Sequence, residues 1–377
     1  MKLTILAESH LLKSKKINGT IVQLYFLSKE FSKNNIDVYY IYNSEESNNI
    51  EELEDITLIN VKNKSRFLSH FFQIYYYYKH LINIKPDYLY VRGRGINQFI
   101  AVMYCKYHKT SYIWNTNGSD SPELWKMIRR LFRGNKNLIK KLTLVPITLL
   151  HDILINYGIK KSKVIVNQTH DQKDYTKQLL SVNGTVIPNI FPVVKTRTKP
   201  KNQFLWLANL SRNKKPEIFI QIYKSLQNKN WTATLVGGTS DNAYFNYIRD
   251  ECSSANIKFV GKVDFFDTHK YFNESKIYIN TSDKHADGLP NAFLQAWNGG
   301  NIVISLNHDP NDWIKKHNIG YCAHGNVKLL ISKLISLQAN DVELAKMREN
   351  VLAFSKKKFS SEKIINQYIN IFNNISS

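Results

Sequence analysis

Apolar and polar positions follow two periods along the chain. Short, largely apolar runs of strand length fall at residues 3–7, 37–42, 87–91, 111–114 and 163–167. Between the first two, residues 20–34 place Ile21, Leu24, Leu27 and Phe31 on one face of a helix. Strands that alternate with helices predict a parallel sheet covered on both faces. Residues 190–203, rich in Pro and Lys and without periodicity, then read as an interdomain linker. The alternation restarts beyond it, with strands at 204–208, 232–236, 257–260, 277–280 and 301–306 and a helix at 217–227. The expected fold class is α/β, as two doubly wound domains in series, residues 1–189 and 204–355. Ligands of such sheets sit at the carboxyl ends of the strands, near helix N-termini.

Composition narrows the class. The chain has 377 residues, 43% apolar and 22% charged, which fits two folded domains and not a disordered chain. Lys and Arg outnumber Asp and Glu by 52 to 30, a net charge of +22. Such an excess points to an anionic partner (nucleic acid, an acidic membrane or a phosphorylated ligand) or to the habit of a genome rich in Lys, Asn and Ile. It leans to the first half, +13 over residues 1–195 against +9 over 196–377. No run approaches the ~18 apolar residues of a membrane span. The longest, 142–155, contains Pro146 and His151-Asp152. Glu8 ends the first apolar run before a signal peptide could form. Cys105, Cys252 and Cys322 are odd in number and far apart, as free thiols of a reducing cytosol are.

The segment with the most chemistry runs from Asp283 to Trp297 and includes Asp287-Gly288-Leu289-Pro290-Asn291-Ala292. A strand precedes it and a helix follows, with Pro290 suited to the first helical turn. Backbone N–H groups beyond Gly288, at Leu289, Asn291 and Ala292, together with the helix dipole, suit a diphosphate. Asp287 and Gln295 are placed to reach one ligand. The other reading makes Asp287 a helix cap and leaves Gln295 solvated.

This stretch resembles the acidic-x7-Glu motif of retaining glycosyltransferase family 4 (group 1 glycosyltransferases), with Asp287 and Gln295 where the family has two glutamates. The resemblance implies the GT-B fold, two facing Rossmann-like doubly wound domains with an interdomain cleft. It implies that Asp287 contacts the donor sugar and that the uncharged Gln295 meets the ribose. Residues 204–217 resemble the strand-loop-helix that brings cations to the donor diphosphate, where they stabilise the leaving group. Lys214 falls at the family's lysine. Asn209 stands at its arginine position, leaving Arg212 as the substitute. Gly237 and Gly261 match the nucleotide-side strand ends, and Gly19 the loop after the first strand. Pro188-Asn189, Gln168-Thr169 and Gln172 match the approach to the second domain. Residues 356–377 resemble the helix that returns to the first.

In the first domain, the loop holding Asn117, Ser119 and Asp120 follows a strand and is expected to face the acceptor. Arg92-Gly93-Arg94-Gly95 also follows a strand; Arg92 either binds an acceptor phosphate or belongs to a turn. Residues 125–144, from Trp125 to Leu144, carry seven basic side chains and no acid. With Ile128, Leu131 and Phe132 at helical spacing, the segment suits an anionic inner membrane face or is a surface helix with its apolar side in the core. Phe71, Phe72 and Tyr75–Tyr78 either extend that surface or lie in the core.

The resemblance implies a retaining glycosyltransferase of the hexosyltransferase type, cytoplasmic and peripheral on the inner face of the membrane. It would move a sugar from a nucleotide sugar to a lipid-linked or oligosaccharide acceptor in bacterial surface polysaccharide synthesis, of lipopolysaccharide or capsule. No Asp-x-Asp motif is evident, so no cofactor and no divalent metal are expected. The competing classes are a basic nucleic-acid-binding protein, for which no motif is present, and a sugar epimerase or phosphorylase on the same fold.

Overall fold

The computed structural model describes residues 1–13, 17–44, 49–62, 69–134, 137–192, 199–226, 230–283 and 288–376. They form two units, residues 1–188 with 361–377, and residues 189–360. The first unit runs β1 (Lys2–Leu6), α1 (Gly19–Lys33), β2 (Asp37–Ser44), β3 (Asn49–Leu53), β4 (Ile56–Lys62), α2 (Ser69–Ile84), β5 (Tyr88–Arg92), α3 (Asn97–Tyr107), β6 (Ser111–Asn115), α4 (Lys126–Arg133), α5 (Leu138–Lys160), β7 (Val164–Asn167), α6 (His170–Leu180) and β8 (Thr185–Val186). The second runs β9 (Lys201–Leu207), α7 (Pro216–Lys224), β10 (Thr232–Val236), α8 (Asn242–Ser254), β11 (Lys258–Gly261), α9 (Thr268–Glu274), β12 (Ser275–Asn280), α10 (Asn291–Gly299), β13 (Ile302–Ser305), α11 (Trp313–Lys316), β14 (Gly320–Cys322), α12 (Val327–Gln338) and α13 (Asp341–Lys358). Helix α14 (Ser361–Ser376) closes the first unit.

The first sheet has the order β3-β4-β2-β1-β5-β6-β7-β8, parallel except for β3. The second is wholly parallel, β11-β10-β9-β12-β13-β14. In both, the sequence turns back on itself beside the first strand of the unit, the arrangement of a doubly wound sheet. The strands are apolar on both faces because helices cover both. Leu89, Tyr90 and Ile113 are fully buried in the first sheet, and Phe204, Leu205 and Ile304 in the second. Helix α14 is held to the first unit by aromatic contacts. Tyr88 donates its hydroxyl to the Phe372 carbonyl at 2.8 Å. Tyr368 packs edge-on against Phe31 and accepts a 2.7 Å bond from Asn115 Nδ2.

Three local expectations are corrected. The hairpin β3–β4 is absent from the strand pattern read above. Its turn, Glu54-Asp55, sits at φ 54° and 60° without a glycine or an Asn-Gly pair to announce it. The basic segment 125–144 is not one helix. It breaks after α4, at Gly134, and resumes at Asn137, whose side chain caps α5. Helix α5 then runs through Pro146. The stretch 190–203 is not all linker. Ile190 and Phe191 are buried, Asn298 Nδ2 donates to the carbonyls of Phe191 and Pro192, and β9 already starts at Lys201.

Acid sensitivity is built into the first unit. His10 is 1% exposed in a box of Tyr25, Tyr40 and Tyr42. Burial, aided by Lys13, pushes its imidazole down to about 4. A histidine whose folded pKa lies below its unfolded value is neutral in the fold, so its contribution is complete above the unfolded pKa. That contribution is lost as pH falls from about 6.5 towards 4, because the unfolded chain takes the proton first. By pH 5 the loss reaches about 2 kcal/mol from His10. Urea melts at pH 7.5 and pH 5 are expected to show it, and His10→Phe to reduce it.

Candidate active site

The carboxyl ends of the second sheet converge on one edge. After β9 the chain stays in register for three residues. Ala208 N–H donates to Val236 O at 3.2 Å, and Leu210 N–H to Gly238 O at 3.0 Å. Beyond β10, Gly237 N–H donates to Gly261 O at 2.9 Å. A Cβ on Gly237 would stand 2.1 Å from the Ala208 carbonyl oxygen, so no other residue fits. Gly261 takes φ +79°. Both glycines therefore have a reason in the sheet itself, besides leaving backbone open at the edge. Gly237→Ala is expected to cost about 1–3 kcal/mol through forced movement of β9, read as a lower urea midpoint with an unchanged slope.

The loop of Arg212, Lys214 and Lys215 is tied to the end of β12. The Thr281 hydroxyl reaches the carbonyls of Lys214, at 2.7 Å, and Lys215, at 2.8 Å, and accepts 2.9 Å from Trp206 Nε1. Asp283 N–H donates to Asn213 O, and the Asp283 carboxylate pairs with Lys215. Lys215 sits at φ 49°, and Pro216 follows as the first residue of α7. Lys214 is half-buried in this loop. Arg212, two residues before Lys214, is exposed. Its guanidinium stands 5.6 Å from the Tyr244 ring, and the Tyr244 hydroxyl donates to Glu217 at 2.6 Å. Burial, reinforced by Glu217, holds that phenol well above its usual range. Arg212, Glu217, Asp241, Tyr244 and Tyr247 line a cavity of about 420 Å³. Among the described contacts, Arg212 thus meets Tyr244, while the backbone of Lys214 is tied to Thr281.

The loop between β12 and α10 is clamped from β13. Asn307 Nδ2 donates to Ser282 O at 2.8 Å. His308 Nε2 lies 2.8 Å from Gly288 O; a carbonyl only accepts, so Nε2 carries the proton. Asn189 Nδ2 donates to Leu289 O at 2.8 Å. Gly288, Leu289 and Pro290 are buried, while Asn291 and Ala292 are half-buried in the first turn of α10. Pro290 is the N-cap and supplies no side-chain acceptor. Asp287 lies outside the described residues. Gln295 is not solvated, in contrast to the bland alternative. It is buried, and its Nε2 donates to Thr268 Oγ at 3.1 Å. Of these clamps only Asn189 carried a motif signal. His308 and Asn307 follow a strand with nothing local to mark them.

In the first unit, Gly19 opens α1, and Asn18 caps it by accepting from Ile21 N–H at 3.1 Å. A Cβ built on Gly93 would lie 3.7 Å from Asn117 Cβ and 3.8 Å from Thr20 Cγ2, so the ends of β5 and β6 meet the start of α1. Asn117 N–H donates to Ser121 Oγ, and its carbonyl accepts 2.6 Å from Gln168 Nε2. Ser119 is half-buried in the same loop, and Asp120 pairs with Lys126. Arg92 is only 6% exposed at the end of β5. Arg94 is turned inward. It pairs with the fully buried Asp152 at 3.1 Å and donates to Asn156 at 2.7 Å. The turn reading of that segment holds for Arg94. Among the described residues no three His, Cys, Asp or Glu side chains come together as a metal site.

Residues 189–354 match the family model of glycosyl transferases group 1. Poly(ribitol-phosphate) alpha-N-acetylglucosaminyltransferase of Staphylococcus aureus is 27% identical over 109 residues, 28% of this chain. The aligned part is about a fifth (21%) of that relative's length. Among solved structures, TarM of S. aureus in complex with fondaparinux, alpha-GlcNAc-glycerol and UDP superposes with a TM-score of 0.74 at 12% identity, over 99% of both chains. Anabaena HepE in complex with UDP and glucose gives 0.71 at 13% identity, over 99% of this chain and 100% of that one. The second unit therefore resembles group 1 glycosyl transferases in sequence, and the chain as a whole has the GT-B fold of the glycosyltransferase structures it superposes on.

Proposed function

We propose that this chain is a retaining glycosyltransferase that moves a hexose-type sugar from a uridine diphosphate donor to a lipid-linked glycan or polyol-phosphate acceptor. One observation carries the reading. The family match over residues 189–354 falls on the unit whose strand ends carry the Lys214 loop, Gly237, Gly261 and the start of α10. Lys214 and the first amides of α10 hold the diphosphate, whose charge grows as the glycosidic bond breaks. Asp287 orients the sugar, and Gln295, anchored by Thr268, addresses the ribose. The transition state has oxocarbenium character, and the acceptor hydroxyl attacks from the leaving-group face, which requires no covalent enzyme nucleophile. The loops of Asn117, Ser119, Asp120 and Arg92 serve the acceptor. Surface polysaccharide assembly on the inner face of a bacterial membrane is the setting.

The relatives support a uridine donor: solved structures with this fold contain UDP with glucose, or UDP with fondaparinux and alpha-GlcNAc-glycerol. The test incubates the full chain with a panel of UDP-sugars, with and without glycerol-phosphate and oligosaccharide acceptors, and follows UDP release by assay and the sugar products by mass spectrometry and proton NMR. Sugar transfer with retained anomeric configuration is expected. Epimerised donor or a sugar 1-phosphate would replace this reading by an epimerase or a phosphorylase. Binding to DNA at physiological salt without donor turnover would replace it by a nucleic-acid-binding protein.

A further inference from the structure

Few of the apolar side chains described between residues 125 and 154 are spent on the core. None of α4 is buried. In α5 the buried positions begin only at Asp152. Leu138, Leu142, Leu149, Ile153 and Tyr157 are all exposed, Leu138 at 67% and Leu142 at 57%. Their spacing of four, seven, four and four residues puts them on one side of the helix. The side that carries Asp152, Ile155, Asn156 and Ile159 is turned into the unit. At 1.5 Å per residue the stripe is about 28 Å long. Its neighbours continue it. Helix α4 packs on α5 and exposes Phe132, whose carbonyl accepts 2.9 Å from Lys141 Nζ. His70 of α2 stacks on His151 at 4.3 Å, and the residue after it, Phe71, is 55% exposed, as Tyr75 is at 61%.

Positive charge surrounds this stripe. Lys126, Arg129, Arg130, Arg133, Lys140 and Lys141 lie on α4 and the first turn of α5, a span without an acidic residue. An exposed apolar patch of this extent marks an interaction surface. We propose that α4, α5 and the exposed face of α2 form a docking surface for an anionic lipid bilayer, with the α5 stripe inserted among the acyl chains and the α4 cations at the headgroups. A lipid surface is favoured over a second copy of the chain. A symmetric contact would set this cationic cluster against its own copy, whereas anionic headgroups neutralise it. The proposal rests on the reading of the chain as an enzyme of lipid-linked glycans for its purpose, but not for its test.

That test is sedimentation of the full chain with vesicles of phosphatidylcholine alone or with added phosphatidylglycerol. Wild type is expected to partition at least tenfold more strongly to the anionic vesicles, and less so as salt rises. Leu142→Asp/Leu149→Asp and Arg130→Glu/Arg133→Glu are each expected to reduce that binding at least tenfold. Both pairs leave the thermal melt and UDP-sugar hydrolysis in solution unchanged. Equal binding to both vesicles, or unchanged binding by either double variant, overturns the proposal. So does a dimer in light scattering that Leu149→Asp dissociates. Vesicle binding without donor turnover removes the enzymatic reading alone. Turnover without binding removes the docking surface alone.

Discussion

Asp152→Ala is expected to destabilise the protein by about 3–5 kcal/mol, the largest loss of stability predicted here. Asp152 is fully buried, and each carboxylate oxygen is used. One takes Arg94 Nη2 at 3.1 Å and Met127 N–H at 3.2 Å; the other takes Ile128 N–H at 2.8 Å. Truncation leaves a guanidinium whose Nε and Nη1 already have no partner among the described residues, and frees two amides of the first turn of α4. Uncompensated buried charge and orphaned donors are both costly. A melting temperature lower by about ten degrees or more is the readout. Asp152→Asn retains an acceptor and should lose less. Arg94→Met/Asp152→Leu removes both charges and should recover much of the stability; a double variant as unstable as Asp152→Ala would refute the charge argument.

Lys214→Ala is expected to lower kcat/KM for sugar transfer by about 10²–10³, the usual cost of removing one fixed group that stabilises developing charge. The Thr281 bond to the backbone of Lys214 is kept in this variant, and a melting curve close to wild type is expected. Lys214→Arg should restore part of the rate. Arg212→Ala is the internal comparison. The guanidinium rests on Tyr244, so the expected loss is under tenfold. Equal losses in the two variants would place both Arg212 and Lys214 at the diphosphate. Steady-state kinetics on the best donor of the UDP-sugar panel decides between them.

What could be read from the sequence, and what could not, divides along physical lines. The alternating strands and helices were legible because parallel strands buried on both faces read as apolar runs, as in 87–91 and 277–280. The start of α10 was legible because Pro290 punctuates a helix start locally, whereas the Lys214 loop was legible only through its resemblance to a family pattern. The β3–β4 hairpin was not, since Glu54 and Asp55 adopt a left-handed turn without the usual glycine. The partner of Arg94 was not, since Asp152 lies 58 residues away on helix α5. His308 and Asn307 reach back to Gly288 and Ser282 across a strand and a helix. One of the two sequence readings leaves Gln295 solvated, yet it is buried and donates to Thr268 of α9. Side-chain commitments across sequence distance are set by packing, and no local period encodes them.

The return of α14 to the first unit has a consequence for synthesis. The ribosome makes residues 1–188 first, yet the aromatic contacts of Phe31, Tyr88 and Tyr90 with Tyr368 and Phe372 must wait for a helix translated after the whole of the second unit. Domains usually fold in the order they emerge. Here the unit that emerges first is completed last, and the nascent chain carries an uncovered aromatic seam throughout the translation of residues 189–360. A stop codon just before Ser361 would leave that seam bare for good, which makes the last helix the point at which quality control by chaperones and proteases has most to act on.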